Sequence, residues 1–356
     1  MVLVPHTMVH PVSDPTTREA GAPDWPAVKL HIVTGKGGTG KSTVAAALAL
    51  ALASHGTDVL LCEVEGRQGI SRMFDVEPLP YEERRIATGL TYRDGPDGTP
   101  GTVYALHIDP ESAFLEYLKM YYHLGRAGRA LDRFGVTEFA TTIAPGVRDV
   151  LLTGKVYEAA RRQGKKGTGR KYDAIVLDAP PTGRISQFLN VNKELAGLAK
   201  VGPIKNQADN IMRLFRSPQT VVHLVTVLEE MPVQETVDGI AQLHEHRLPV
   251  GGIVVNLVRP QDLDRGELAA ARRGKIDTHE VTADLASAGV EVDDALVGAL
   301  VTEARDHAER RGLEDAQRAL VGDLDVPTYE LPRLPTGIDL GALYELAAEL
   351  KHQGMA

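Results

Sequence analysis

The sequence predicts an α/β fold: a wound, mostly parallel sheet with helices on both faces and a helical subdomain. Three observations carry that expectation. Short runs rich in β-branched residues recur along the chain, and helical material follows nearly every one. The runs are almost continuously apolar instead of alternating, as strands covered on both faces must be. The segments between some of them are far longer than a simple crossover needs.

In chain order, Val28 to Thr34 is the first strand and ends on a glycine cluster. Ser42 to Thr57, Ala/Leu-rich and free of Asp, Glu, Lys and Arg, reads as a buried helix and falls short of the roughly 20 residues that cross a bilayer. Asp58 to Val64 and Thr102 to Ile108 are the next strands, with the Gly/Pro-rich Asp94 to Gly101 between them as an exposed turn. A helical insertion is expected over about 110–171, where Phe114, Leu118 and Tyr121 repeat at helical spacing beside Leu115 and Tyr122. Tyr172 to Leu177 returns to the sheet. A second insertion, about 184–216, carries Ile185, Phe188, Leu189, Leu195 and Leu198, then Ile211, Met212, Leu214 and Phe215. The two are expected to form a helical layer beyond the strand ends. Thr220 to Thr226, Val250 to Asn256 and Val326 to Leu331 complete the strands, and the charged stretch 279–321 reads as solvent-facing helix. One domain over 28–356 accounts for the series, preceded by a proline-rich, flexible extension over 1–27 that lacks the basic start and apolar core of a signal peptide.

Composition excludes several function classes. The 356 residues carry a formal net charge of −9, which opposes general attraction to nucleic acid or anionic lipid. Cys62 is the only cysteine, so intramolecular disulfides, a cysteine-cluster zinc site and an iron–sulfur ligand set from one chain are ruled out. A cytoplasmic protein, not an integral membrane protein, is expected.

The most specific signal is the run Gly35 to Thr43. Gly35, Gly40, Lys41 and Ser42 satisfy G-x-x-x-x-G-K-[ST] between a strand and a helix. Gly35, Gly37, Gly38 and Gly40 let successive amides, with that of Thr39, converge on phosphate oxygens. The helix start adds its unpaired amides and the positive end of its dipole. Lys41 is placed for the β- and γ-phosphates, the Ser42 hydroxyl for Mg2+, and Thr43 for the α-phosphate. The same letters spell G-x-G-x-x-G, with Glu63 and Glu65 ending the next strand as a dinucleotide fingerprint requires. That reading has no use for a lysine and a hydroxyl at positions 41 and 42, so a nucleoside-triphosphate-binding fold of the P-loop type is expected. Lys36 starts on the outer turn of the loop. Alone it reads as a solvated lysine, but across two facing loops it reaches the partner's γ-phosphate, as an arginine finger does. Asp178 follows an apolar strand, as a magnesium-organising carboxylate does, and opens a stiff Ala179-Pro-Pro-Thr-Gly183 continuation.

The loop with Lys36, the stretch Asp178 to Gly183 running on to Phe188 and Leu189, Pro145-Gly146 and Val254-Val-Asn256 together resemble the ArsA family, over about 28–356. The family comprises arsenite-pump ATPases and ATPases that guide tail-anchored membrane proteins, and the resemblance is nearest to its bacterial anion-transporting branch. It implies a magnesium-dependent ATPase that closes over ATP as a dimer. Lys36 would act in trans, Lys41 on the phosphates, Ser42 and Asp178 at the metal, and Asp178 to Gly183 as the second switch. Asn256, and Pro332 in Leu331-Pro-Arg-Leu-Pro335, would contact adenine. With one glycine loop per chain, the partner would be a second copy or a paralogous ATPase.

Two departures from the family matter. Its first switch usually reads Asp-Pro-Ala-His, where this chain has Glu65-Gly-Arg-Gln68, so Glu65 takes the water-orienting position with one extra methylene. The thiolates that would bind arsenite are missing, which disfavours an arsenite pump. The basic run Arg161 to Lys171 has no interleaved aromatic and reads as a solvated loop; His244 and His246, two apart, do not face each other on a helix. The apolar helices 112–124 and 185–215 are either a groove for a hydrophobic client helix or internal packing.

The expected function is an ATP- and Mg2+-dependent, dimeric hydrolase acting on a membrane-protein or transport partner, peripheral at the membrane only through that partner. The alternatives are a positioning ATPase like those of cell division and plasmid partition, opposed by the acidic tail Gly341 to Lys351, and a weakly hydrolysing regulatory subunit, suggested by Glu65.

Overall fold

The computed structural model describes residues 24–66, 68–90, 100–122, 145–164, 169–190, 203–335 and 337–356. One eight-stranded sheet organises them. Its strands are β1 (Leu30–Gly35), β2 (Asp58–Glu63), β3 (Arg84–Thr88), β4 (Thr102–His107), β5 (Ala174–Asp178), β6 (Thr220–Thr226), β7 (Val250–Val258) and β8 (Thr328–Pro332). They lie in the order β3-β4-β2-β5-β1-β6-β7-β8. All pairs are parallel except β3 with β4. Every strand read from the sequence is present. The additional strand, β3, is the antiparallel edge Arg84-Arg-Ile-Ala-Thr88, whose two exposed arginines hide the pattern expected of a buried strand.

The sheet separates two hydrophobic layers. On one face, α1 (Lys41–Leu52) and α11 (Leu340–His352) pack with the short α2 (Gly69–Met73). Helix α1 is buried on every side from Val44 to Ala51, which explains an Ala/Leu composition without a polar stripe. On the other face lie α3 (Pro110–Tyr122), α4 (Pro145–Arg161), α5 (Thr182–Leu189), α6 (Pro203–Phe215) and α7 (Glu230–Glu245). A layer beyond the strand ends is the sequence expectation for both insertions. The described parts instead cover the sheet: Val150, Val156, Ile185, Phe188, Ile211 and Phe215 share one core with Leu60, Cys62 and Leu177. Of the apolar stripes, Ile185, Phe188, Leu189, Ile211, Met212 and Phe215 are thus internal packing, while the side chains of Leu118, Tyr121, Tyr122, Leu195 and Leu198 lie outside the described residues.

Between β7 and β8 runs a charged helical excursion, α8 (Arg265–Arg272), α9 (Thr278–Ser287) and the 29-residue α10 (Asp294–Gly322), with Asp264, Asp277 and Asp293 as N-caps. Helix α9 buries nothing. No described helix is long and apolar enough to cross a membrane. Of the N-terminal extension, residues 1–23 lie outside the described set. Asp24 donates its amide to the Gly354 carbonyl and accepts from the Tyr329 hydroxyl, and Trp25 packs edge-on to His223, so 24–27 joins the body.

Candidate nucleotide site

Parallel strands collect the loops that follow them at one edge, and the strand order here splits between β5 and β6, on either side of β1. The glycine loop leaves β1 at that point. Gly35 has no room for a side chain, since a Cβ there would meet the Val225 carbonyl oxygen at 2.2 Å. Gly40 has φ +86° and ends the loop as the left-handed N-cap of α1. No side chain caps α1 and no acid lies in its first turn, so its leading amides remain available for an anion. Gly37 and Gly38 face solvent, whereas Thr39 is buried and fixes the turn through its hydroxyl to the Lys36 carbonyl at 2.9 Å.

Lys41, Ser42 and Thr43 open α1, each half-buried. The Ser42 hydroxyl donates to Asp178 Oδ2 at 2.6 Å, joining residues 136 apart in sequence. Asp178 closes β5 and is 5% exposed, and its Oδ1 finds no partner among the described residues. Burial pushes its carboxyl up to about 6; the Ser42 bond and Lys41 oppose that rise, and Glu63 and Glu65 add to it. A half-satisfied, buried carboxylate against a loop serine fits a hard divalent cation, which prefers oxygen ligands. The stretch after Asp178 is tied to the loop strand, Ala179 N to the Val33 carbonyl at 2.9 Å and the Thr34 hydroxyl to the Pro180 carbonyl at 2.7 Å. Glu65 lies half-buried just beyond β2, while Thr43 donates to Met73 Sδ at 3.6 Å.

Lys36 is not free in solvent. Its Nζ is 3.0 Å from Glu235 Oε1 on α7, and the other Glu235 oxygen receives the Thr182 hydroxyl at 3.4 Å. One carboxylate therefore touches both the loop lysine and the Asp178–Gly183 stretch, a link that sequence reading missed. Beside the loop a cleft of about 950 Å3 opens between Lys36–Thr39, Leu257–Arg259, Leu313 and Arg333. The two adenine candidates do not form its wall. Asn256 is buried behind the loop and donates Nδ2 to the Thr39 carbonyl at 2.9 Å; Pro332 ends β8, one residue before the lining Arg333. Leu257, at φ +58°, takes the wall position instead. Met231, Leu257 and Leu313 are 59%, 44% and 69% exposed around this cleft.

Elsewhere the bland readings prevail. Of the basic run, Arg162 pairs with Glu158 and Glu83, and Arg170 with Asp58. Cys62 is fully buried in β2 and burial pushes its thiol up, which suits packing and not soft-metal chemistry.

The family model described as anion-transporting ATPase matches residues 28–219. ATPase BagA of Mycobacterium tuberculosis is 51% identical over 345 residues, covering 96% of this chain and 99% of that protein. ATPase GET3 of Kluyveromyces lactis is 24% identical over 269 residues, 66% of this chain and 73% of its own length.

Proposed function

The chain belongs to the anion-transporting ATPase (ArsA) family, and on that premise we propose that it hydrolyses ATP with Mg2+ as a nucleotide-closed dimer acting on a membrane-protein or transport partner. The observation that carries the metal-dependent reading is the Ser42–Asp178 contact at the mouth of the glycine loop, with one aspartate oxygen still unspent.

In this reading the amides of Gly37 to Thr43 embrace the phosphates and Lys41 neutralises their charge. Ser42 and Asp178 would hold the cation, which would supply screening of the phosphate charge. Glu65 orients the attacking water. Asn256 serves the nucleotide indirectly by pinning Thr39, and Leu257 with Arg333 faces the base. Lys36 leaves Glu235 to reach the γ-phosphate of the facing subunit. The exposed Met231, Leu257 and Leu313 around the cleft supply an apolar rim for that subunit to cover. An arsenite cargo is disfavoured, because the single thiol is sealed inside β2.

Replacing Lys41 with Ala tests the assignment. ATP turnover by purified protein should vanish while the far-UV spectrum and melting temperature stay close to wild type. Unchanged turnover would refute the site. The longer Glu65 side chain also favours a second reading, a regulatory subunit that binds ATP and turns it over only beside a catalytic paralogue. Purified protein that binds ATP without hydrolysing it, then becomes active on adding the paralogue, would select that branch.

A further inference from the structure

One polar row at the strand ends is left over by the assignments above. In the sheet register His107 on β4 stands opposite Glu63 on β2, and Glu63 stands opposite Asp178 on β5. Partners in adjacent parallel strands point to the same face, about 4.8 Å apart. The three side chains therefore form a line leading to Ser42. Glu63 is 2% exposed. Its Oε1 accepts the Gly69 amide at 2.8 Å, at the start of α2 and directly after the segment holding Glu65. Its Oε2 has no hydrogen-bond partner, and His107 Nδ1, 3.6 Å away, has none either. Asp178 Oδ1 is also unspent. Glu63 and Asp178 thus hold neighbouring register positions, each with one buried carboxylate oxygen that lacks a hydrogen-bond donor, and a group that donates to both would satisfy them.

We infer that Glu63 is a positioning residue of the metal site: its free oxygen accepts from water bound to the divalent cation at Ser42 and Asp178, while its other oxygen holds the Gly69 turn. The inference rests on the metal-dependent reading above and extends it to a residue outside the glycine loop and both switches. Among the described residues no three His, Cys, Asp or Glu side chains converge as a metal cage. Glu63 accordingly acts from the outer shell, where it orients a ligand water and ties cation occupancy to the first-switch turn. An uncharged Gln keeps an acceptor for Gly69 but presents a weaker or wrongly polarised group to that water.

The test is Mn2+ binding by electron paramagnetic resonance to the full chain with a nonhydrolysable ATP analogue, paired with analogue binding in the absence of metal. Glu63→Gln should weaken Mn2+ binding roughly 10- to 100-fold, the range for lost outer-shell partners. Metal-free analogue affinity should stay within about twofold, and Glu63→Asp should recover part of the loss, neither of which a merely structural role predicts. His107→Asn covers the competing arrangement, in which Glu63 serves only the histidine. Wild-type Mn2+ affinity in both Glu63 variants, with Asp178→Asn clearly weakened, overturns the inference and leaves the metal-dependent reading standing. No Mn2+ binding by wild type in the analogue complex sinks that reading itself. If Glu63→Gln does not fold, Glu63→Ala and His107→Asn decide: wild-type Mn2+ binding in Glu63→Ala, or equal weakening in His107→Asn, overturns the assignment to Glu63.

Discussion

Lys36 and Glu235 of the same chain meet at 3.0 Å, both about one-third exposed. The lysine expected to act across a subunit interface is thus held at home by a carboxylate that also touches Thr182. An exposed pair of this kind stabilises by about 1 kcal/mol or less. It restrains Lys36 without locking it. Glu235→Gln should leave the melting temperature within about a degree or two and raise nucleotide-dependent self-association, read by light scattering across protein concentrations. Lys36→Ala should cut kcat by roughly 10^3, the lower end for a trans-acting cation, with ATP affinity little changed. Full activity in Lys36→Ala would end the trans role.

Gly40 combines a close side-chain approach with a left-handed backbone. A Cβ there would lie 2.3 Å from Asn256 Nδ2, and φ +86° is strained for any L side chain. Gly40→Ala should displace Asn256 from Thr39 and weaken ATP binding at least tenfold by titration calorimetry. Asn256→Ala, which loses the 2.9 Å bond but opens space, should cost less, about 1 kcal/mol in binding or stability.

His31 and His223 form a fully buried stacked pair, Nδ1 of the first 3.1 Å from Nε2 of the second. The Gly252 amide donates to His223 Nδ1, so a neutral His223 carries its proton on Nε2 and donates to His31. Burial lowers His31 to about 4 and carries His223 well below its usual value, with His31 adding to the latter. Both are depressed, so their contribution is complete above about pH 6.5 and declines as pH falls toward 4, by about 3 kcal/mol for His31 alone. Chemical denaturation at pH 7, 5.5 and 4.5 checks the slope. A pH-independent contribution would show that folding does not depress the proton affinity of the pair.

Asp178 titrates in an overlapping window with the opposite sign. Its carboxyl is lifted to about 6 by burial, so the folded chain without cation holds a proton that the unfolded chain releases, and its stability contribution falls as pH rises from about 4 to 6. Asp178→Asn should remove that arm and steepen the acid loss due to the histidines. The same shift predicts that Mg2+ affinity drops about tenfold per pH unit below 6, measured calorimetrically with ADP present; flat affinity down to pH 5 would contradict it.

Residues whose function depends on local spacing were readable in advance. The run Gly35 to Thr43 had to form a strand–loop–helix, and Asp178 at the end of an apolar strand does meet Ser42. Glu63, Glu235 and His107 were not readable as a set. Glu63 and His107 meet through strand order, which places β4, β2 and β5 side by side, and Glu235 through the packing of α7 beside the loop. Asn256 was legible as important, but its side chain is spent on the loop carbonyl. Edge strand β3 escaped because Arg84 and Arg85 obey the chemistry of an exposed margin and not that of a core.

The opposite margin, β8, is closed by a different device. The Gln353 amide accepts from Glu330 N at 2.8 Å and donates to Glu330 O at 2.7 Å, so one side chain imitates a further strand. With a glutamine bonded at Glu330 on one border and exposed arginines on the other, both flanks are blunted against an incoming extended peptide. Among the described residues, both borders of the sheet thus carry features that disfavour docking by an added strand.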